Sequence, residues 1–427
     1  MIYRRSTRLT GAQVTSWLVL AVVLLLVGSG RFRYDIAAFG GLLLLGISRI
    51  SPPSDLFSGF GHPALVSIVS VLVMSEAISR SGVLTGLGSK IEATFHTLRS
   101  QILALALVTS LLSAFMNNVG ALGLTLPTAS RMARRSQVSS GMFGLPLAFA
   151  SIIGGTLTLA GTGPNMIVSA LRASALGKPY RMFDFAPHGL AILLTALVLW
   201  AICRACGFYT VEATPDKNST AHNPRPDAET GPLLTPARRR TVVIVLASLV
   251  LVSTGALQPS LGFSVAAVLL VSVGVLSPKE AYAGLDMGVV LFIGSMLGIA
   301  SVLENTGALS HFAAELYTLT SGFKSFWLIF AVLSFSALLA NLLNNSAAAV
   351  VMAPLVLSLG STNASADALL MAVAAGSSCA MLLPTHQSTV ITMSRTRFKP
   401  SSFMKVGAVL SVAAAVSASL VITWLWN

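Results

Sequence analysis

Apolar runs follow one another along the whole chain, six before residue 207 and six after residue 240, with short turns between most of them. Hydrocarbon is crossed by about 20 mainly apolar residues in helical form, and the runs are read at that scale. They lie at residues 14–30, 36–50, 64–79, 102–127, 141–171 and 185–206, then at 241–257, 263–276, 288–303, 326–359, 368–393 and 403–426. Only 10% of the residues are charged against 54% hydrophobic, where a soluble domain carries roughly a quarter charged. The mean hydropathy of +0.81 is spread over the whole length, so the bilayer is crossed many times. The predicted class is an all-α integral membrane protein.

Lys and Arg outnumber Asp and Glu by 27 to 14, a net charge of +13. In a soluble chain this would suggest nucleic acid as a partner. Here the basic residues stand in short loops between apolar runs, where they set membrane orientation instead. Placing the polar segment 207–240 in the cytoplasm puts Arg31, Arg33, Arg131, Arg134, Arg135, Arg238, Arg239, Arg240, Lys279, Arg395, Arg397, Lys399 and Lys405 on that side. Arg4, Arg5 and Arg8 fall on the other. Three cysteines make no disulfide framework, and Cys203-Arg204-Ala205-Cys206 lacks a second ligand pair for a metal. No cleavable signal peptide is expected ahead of the first run.

Segment 207–240 is the one long polar stretch and reads as a linker too short for a regulatory domain. It separates two halves with the same rhythm, residues 14–206 and 241–427. Ile78-Ser79-Arg80-Ser81-Gly82-Val83-Leu84 answers Leu303-Glu304-Asn305-Thr306-Gly307-Ala308-Leu309. Asn117-Asn118-Val119 with Leu126-Pro127 answers Asn344-Asn345-Ser346 with Ala353-Pro354. The stretch from Gly154 to Asn165 answers that from Ser377 to Ser388. Three matches in one order predict an inverted repeat. Each half then holds five spans and one re-entrant hairpin, at about residues 100–135 and 326–360, for about ten spans in all.

A helix broken at membrane depth is tolerated only where protein or a watery cavity receives the freed backbone groups. The two Asn-Asn pairs read as buried hairpin tips. Gly161-Thr162-Gly163-Pro164-Asn165 and Pro384-Thr385-His386-Gln387-Ser388 read as unwound segments that bare carbonyls. Amide oxygens and bared carbonyls are hard ligands suited to a small cation, and the helix N-termini beyond each turn offer donors to an anion. His386 and Asn165 are further candidates. Glu76 is an acidic residue inside an apolar run, one helical turn from Arg80. No Walker A loop, His-Glu-x-x-His or Gly-x-Ser-x-Gly motif occurs, so transport rather than catalysis is expected and no organic cofactor is implied.

At these residues the chain resembles the divalent anion/sodium symporter family, the dicarboxylate and sulfate transporters of the ion transporter superfamily. That family carries a Ser-Asn-Thr signature in each hairpin, at positions held here by Asn117-Asn118-Val119 and Asn344-Asn345-Ser346. The stretch from Leu157 to Asn165 is similar to the family's Gly-Thr-Pro-Pro-Asn break, and Leu383-Pro384-Thr385-His386-Gln387 to its counterpart. The resemblance implies a homodimer in the cell membrane, with a scaffold and a moving transport domain that carries sodium and a dianion together as an elevator. It implies a first sodium site at Ser113, Asn118 and Gly161, and a second at Asn345 and Pro384. Substrate would touch Asn117, Asn118, Val119, Thr162, Asn344, Asn345, Ser346 and Thr385. Asn117 and Asn344 stand where the signature has serine, Val119 where it has threonine, and Ala340 where a hydroxyl would mirror Ser113.

Sodium-coupled symport of a C4 dicarboxylate or sulfate is therefore the expected activity. Two other readings stay open: a sodium/proton antiporter or metalloid-anion exporter of the same superfamily, with Glu76 as the titrating group, and, from another class, an anion channel.

Overall fold

The computed structural model describes residues 10–29, 31–81, 87–205, 236–309, 322, 324–359, 364–396 and 398–427. Among them every regular element is a helix. The first half contains α1 (Gly11–Gly28), α2 (Tyr34–Ile47), the one-turn α3 (Pro53–Leu56), α4 (Pro63–Ser81), α5 (Leu87–Thr94), α6 (Leu98–Ser113), α7 (Asn118–Arg135), α8 (Gly141–Gly155), α9 (Gly163–Leu176) and α10 (Ala186–Ala205). The second contains α11 (Pro236–Ser253), α12 (Pro259–Ser272), α13 (Pro278–Ala283), α14 (Met287–Asn305), α15 (Ser325–Leu342), α16 (Asn345–Ser358), α17 (Ala366–Ser378), α18 (Gln387–Thr396) and α19 (Pro400–Trp426).

Among the described residues five stretches are long and apolar enough to cross a membrane: α1, the stretch Pro53–Ser81, α14, α15 and α19. Shorter apolar helices fill the remaining runs. Each long run that contained an Asn-Asn pair or a Gly/Pro break is split there into two helices. The run 102–127 continues past Pro127 to Arg135, because Pro127 sits inside α7 without ending it. Arg134 and Arg135 then occupy the last turn, where cations favour the helix C-terminus. Helix α11 begins at Pro236, so Arg238, Arg239 and Arg240 form its first turn rather than the end of a linker.

Helix starts are written into the sequence by their caps. Thr10 with Gln13, and Ser277 with Glu280, make reciprocal capping boxes, each satisfying two otherwise orphaned backbone donors. The Glu280 carboxyl is held below the usual carboxylate range by its hydrogen bonds from the Ser277 backbone and hydroxyl. Asp286 and Ser365 cap α14 and α17 by accepting from first-turn amides, without the reciprocal bond.

The packing of the second half repeats that of the first with the partners exchanged. Helix α2 lies on α14, and α12 on α4; α1 touches α14, and α11 touches α4. Helix α6 packs on α8, and α15 on α17; α7 meets α18, and α16 meets α9. Helices α10 and α19 pack against each other. Helices α8 and α17 are buried on almost every side, as a helix apolar all round must be in the centre of a bundle. At one end Arg172 forks onto Asp367 at 2.7 and 2.9 Å and lies over the Tyr180 ring, joining α9 to α17.

Candidate functional site

Two helix-turn-helix hairpins and two broken helices converge at the centre. In the first hairpin α6 stops at Ser113, and Asn117 caps the returning α7 by accepting from the Gly120 amide at 2.6 Å. Asn344 caps α16 the same way, accepting from Ala347 N at 2.7 Å. The oxygens of both outer asparagines therefore accept from backbone donors, and their amide N–H groups are the donors that remain to these side chains. A serine at these positions would also cap, so the change from the family signature keeps the turn and adds donors.

The second asparagine of each pair behaves differently. Asn118 is buried, and its Oδ1 lies 2.9 Å from Ser113 Oγ. The same hydroxyl donates to the Ser151 carbonyl of α8 at 2.6 Å. A hydroxyl has one proton, so one of these two oxygen–oxygen approaches has no hydrogen in it at any moment. Gly155 lies beside this cluster: a side chain there would stand 3.0 Å from Asn118 Oδ1 and 3.2 Å from the Gly161 carbonyl oxygen. The Gly155 backbone thus packs closely against an amide oxygen and a carbonyl, with Ser113 hydrogen-bonded beside Asn118. Gathered neutral oxygens of this kind are hard ligands for a small cation.

Asn345 stands at the corresponding place in the second half. It is also buried, and its Oδ1 has no hydrogen-bond partner. Ala340 supplies no hydroxyl opposite it, and Ser377 Oγ on α17 is likewise buried without a partner. A buried acceptor left unpaired costs about 1–3 kcal/mol, so this oxygen is poised for a ligand.

The breaks are tied to the hairpins by side chains of which sequence reasoning missed Thr158 and Asn341. The Thr158 hydroxyl donates to the Ala114 carbonyl at the first tip. In the second half Asn341 Oδ1 accepts from Leu382 N at 3.0 Å and Leu383 N at 2.8 Å, while Thr385 Oγ1 donates to the Asn341 carbonyl at 3.0 Å. Asn165 Nδ2 donates to the Thr158 carbonyl at 2.8 Å and the Gly155 carbonyl at 3.3 Å, and its Oδ1 accepts from Ser378 Oγ at 3.3 Å. One asparagine thus bridges the first break and a helix of the other half. Asn341, one turn before Asn344, is a third amide in an apolar run and was visible as such; the Ser151 carbonyl has no sequence signal.

The remaining predicted residues fall around these elements. Thr162 and Val119 are half-buried at the starts of α9 and α7. A side chain on Gly163 would meet Ser346 Oγ at 2.8 Å, so the second tip rests against the first break. Gly161 is buried, Pro384 half-buried and Thr385 exposed. His386 accepts from Ser388 N at 3.2 Å and faces Ser388 Oγ at 2.6 Å, a local role at the start of α18. Glu76 pairs with Arg80, which also reaches Glu280 at 2.9 Å, so this acid is engaged on the side of α4. The Cys203 side chain and Cys206 lie outside the described residues.

The comparisons agree with this architecture. The model of the citrate transporter family matches residues 22–376 and also 264–426. The uncharacterized transporter YfbS of Escherichia coli is 30% identical over 189 residues, 44% of this chain and 31% of that protein. The chain thus covers about a third of YfbS. The uncharacterized transporter Rv2684 of Mycobacterium tuberculosis is 25% identical over 96% of both chains. Sodium/sulfate cotransporter 1 of Chlamydomonas reinhardtii is 29% identical over 163 residues, 35% of this chain and 18% of that one. Among solved structures, the YdaH transporter of Alcanivorax borkumensis superposes with a TM-score of 0.60 at 12% identity, over 97% of this chain and 98% of that one, a likeness of fold. With its apolar helices and paired hairpins and breaks, the chain is a multi-pass membrane protein that belongs to the citrate transporter family.

Proposed function

We propose that the chain is a secondary active transporter that carries sodium and a small divalent anion, a C4 dicarboxylate or sulfate, across the cell membrane in one step. The observation that carries this reading is the crowding of Ser113 Oγ, Asn118 Oδ1 and the Ser151 carbonyl, with Gly155 packed closely against Asn118 Oδ1 and the Gly161 carbonyl oxygen. Sodium is the co-substrate that such oxygens accept, with Gly161 contributing its carbonyl. Asn345, with carbonyls around Pro384, forms the second sodium position. The sodium/sulfate cotransporter among the relatives supports the same pairing of ion and anion.

The anion sits between the tips, met by Asn117, Val119, Thr162, Asn344, Ser346 and Thr385 together with the two inner asparagines. Residues 111–130, 154–171, 338–359 and 377–394 contain no Lys or Arg. Anion charge is then balanced by sodium, amide donors and the N-termini of α7 and α16 rather than by a fixed cation. This makes anion binding depend on sodium, which is the basis of coupling.

The exchanged packing partners support residues 14–206 and 241–427 as two inverted copies around a cytoplasmic linker. In this reading α1, α2, α4, α11, α12 and α14 form a scaffold. The hairpins and broken helices move against it as an elevator, and the protein works as a homodimer. Uptake of labelled succinate, citrate and sulfate into proteoliposomes tests the reading. Uptake of one of them should require an inward sodium gradient and be abolished in Asn118→Ala and in Asn345→Ala. Retained sodium-dependent uptake in both variants would sink the assignment. Glu76→Gln should leave uptake unchanged, since its partner is Arg80; loss of transport there would favour proton exchange instead.

A further inference from the structure

The linker end of α11 carries a groove of about 900 Å³ lined by Pro236, Arg239, Arg240, Val243, Ile244 and Val273. Its composition is divided along the helix axis. Arg239 and Arg240, both exposed, stand in the first helical turn, and Val243 and Ile244 lie one turn deeper. Among the described residues no acidic side chain lines it. One N–H of Arg240 is fixed on the Val273 carbonyl of the neighbouring segment at 3.0 Å, which holds that guanidinium at the mouth with its other donors available. Below the groove α11 continues outward-facing and apolar through Val243, Leu246 and Val250, each more than half exposed.

We propose that this groove holds an anionic phospholipid, its phosphate between the Arg239 and Arg240 guanidinium groups and its acyl chains along Val243, Ile244 and the apolar face beneath. Guanidinium presents paired donors that match phosphate geometry. A basic pocket between spans at the headgroup level, with apolar wall below it, matches the two chemistries of one lipid molecule at their natural spacing. A soluble anion would use the arginines alone and leave the apolar wall without a partner. The proposal rests on the bilayer location of the chain and stands apart from the identity of the transported substrate.

The test is native mass spectrometry of the full-length protein after incorporation into phosphatidylethanolamine/phosphatidylglycerol 3:1 nanodiscs, with release into detergent. The wild type should retain phosphatidylglycerol, and R239Q/R240Q should weaken that retention by about tenfold or more. The charge-matched control R31Q/R134Q should retain it as wild type does. Millimolar inorganic phosphate should not displace the lipid; full displacement would overturn the lipid assignment in favour of a soluble anion. Retention within twofold of wild type in R239Q/R240Q, or equal loss in the control, would refute the proposal. If the double variant fails to fold in phosphatidylcholine, Arg239→Gln alone carries the test under the same criteria, and Val243→Gln checks the apolar wall by the same readout.

Discussion

The two hairpin and break pairs each join an asparagine-capped returning helix to a broken helix, with different side chains. In the first, a hydroxyl on the break, Thr158, reaches the hairpin carbonyl of Ala114, and a hydroxyl on the hairpin, Ser113, faces the inner asparagine. In the second, the hairpin side chain Asn341 accepts two amides of the break, and Ala340 holds the sequence position that Ser113 holds in the first. The link between tip and break is kept in both halves with the break donating and the hairpin accepting, but a side-chain hydroxyl on a backbone carbonyl in the first is joined by backbone amides on a side-chain oxygen in the second. The oxygen cluster is built once. The first pair is organised around Asn118, and the second is held by Asn341 with Asn345 Oδ1 unpaired; in the proposed function this separates what holds the fold from what binds the ion.

The largest effect that would break this comparison is at Asn118. Asn118→Ala should reduce apparent sodium affinity by more than about 100-fold, beyond the 10–100-fold typical of residues that only support a ligand; sodium-dependent fluorescence or melting titrations measure it. An equal loss at Asn345 with no difference in sodium-free stability would erase the distinction between the halves. Asn345→Ala removes a buried acceptor that has no partner, so the sodium-free protein should melt within about 1 kcal/mol of wild type.

Next in size is Asn341→Leu, which leaves the Leu382 and Leu383 amides without their acceptor. The cost should be about 1–3 kcal/mol for each donor, read as a fall in melting temperature without sodium. Introducing a hydroxyl by Ala340→Ser should strengthen the second sodium position by about fivefold, the value of one added polar contact near 1 kcal/mol. Unchanged titration would mean that the two positions do not share a ligand plan. The smallest effect is expected from Thr158→Val, about 1 kcal/mol for one lost hydrogen bond, well below that of Asn341→Leu.

Much of this was legible from the sequence because polar and helix-breaking residues are rare inside apolar runs. The Asn-Asn pairs and the Gly/Pro breaks fall where the long runs split into helices. The cap role of Asn117 and Asn344 follows from residue type once a helix start is placed after them. What sequence did not deliver were contacts made by backbone, such as the Ser151 and Gly155 carbonyls, which belong to no residue type. The crossing from Asn165 to Ser378 spans 213 positions and is a product of packing α9 on α17. The end of α7 at Arg135 agrees with the hairpin read at about residues 100–135, with Pro127 inside the helix, a position tolerated where the freed backbone groups are satisfied.

The most direct test of the central claim is the melting temperature of the purified protein in sodium, lithium or potassium, with succinate, citrate and sulfate added in turn, because a ligand that binds the native state raises its apparent stability. Cation and anion sharing the tips predict a sodium-selective rise that one anion enlarges and that Asn118→Ala removes. A rise produced by an anion to the same extent in all three cations, and kept in Asn118→Ala, would contradict it.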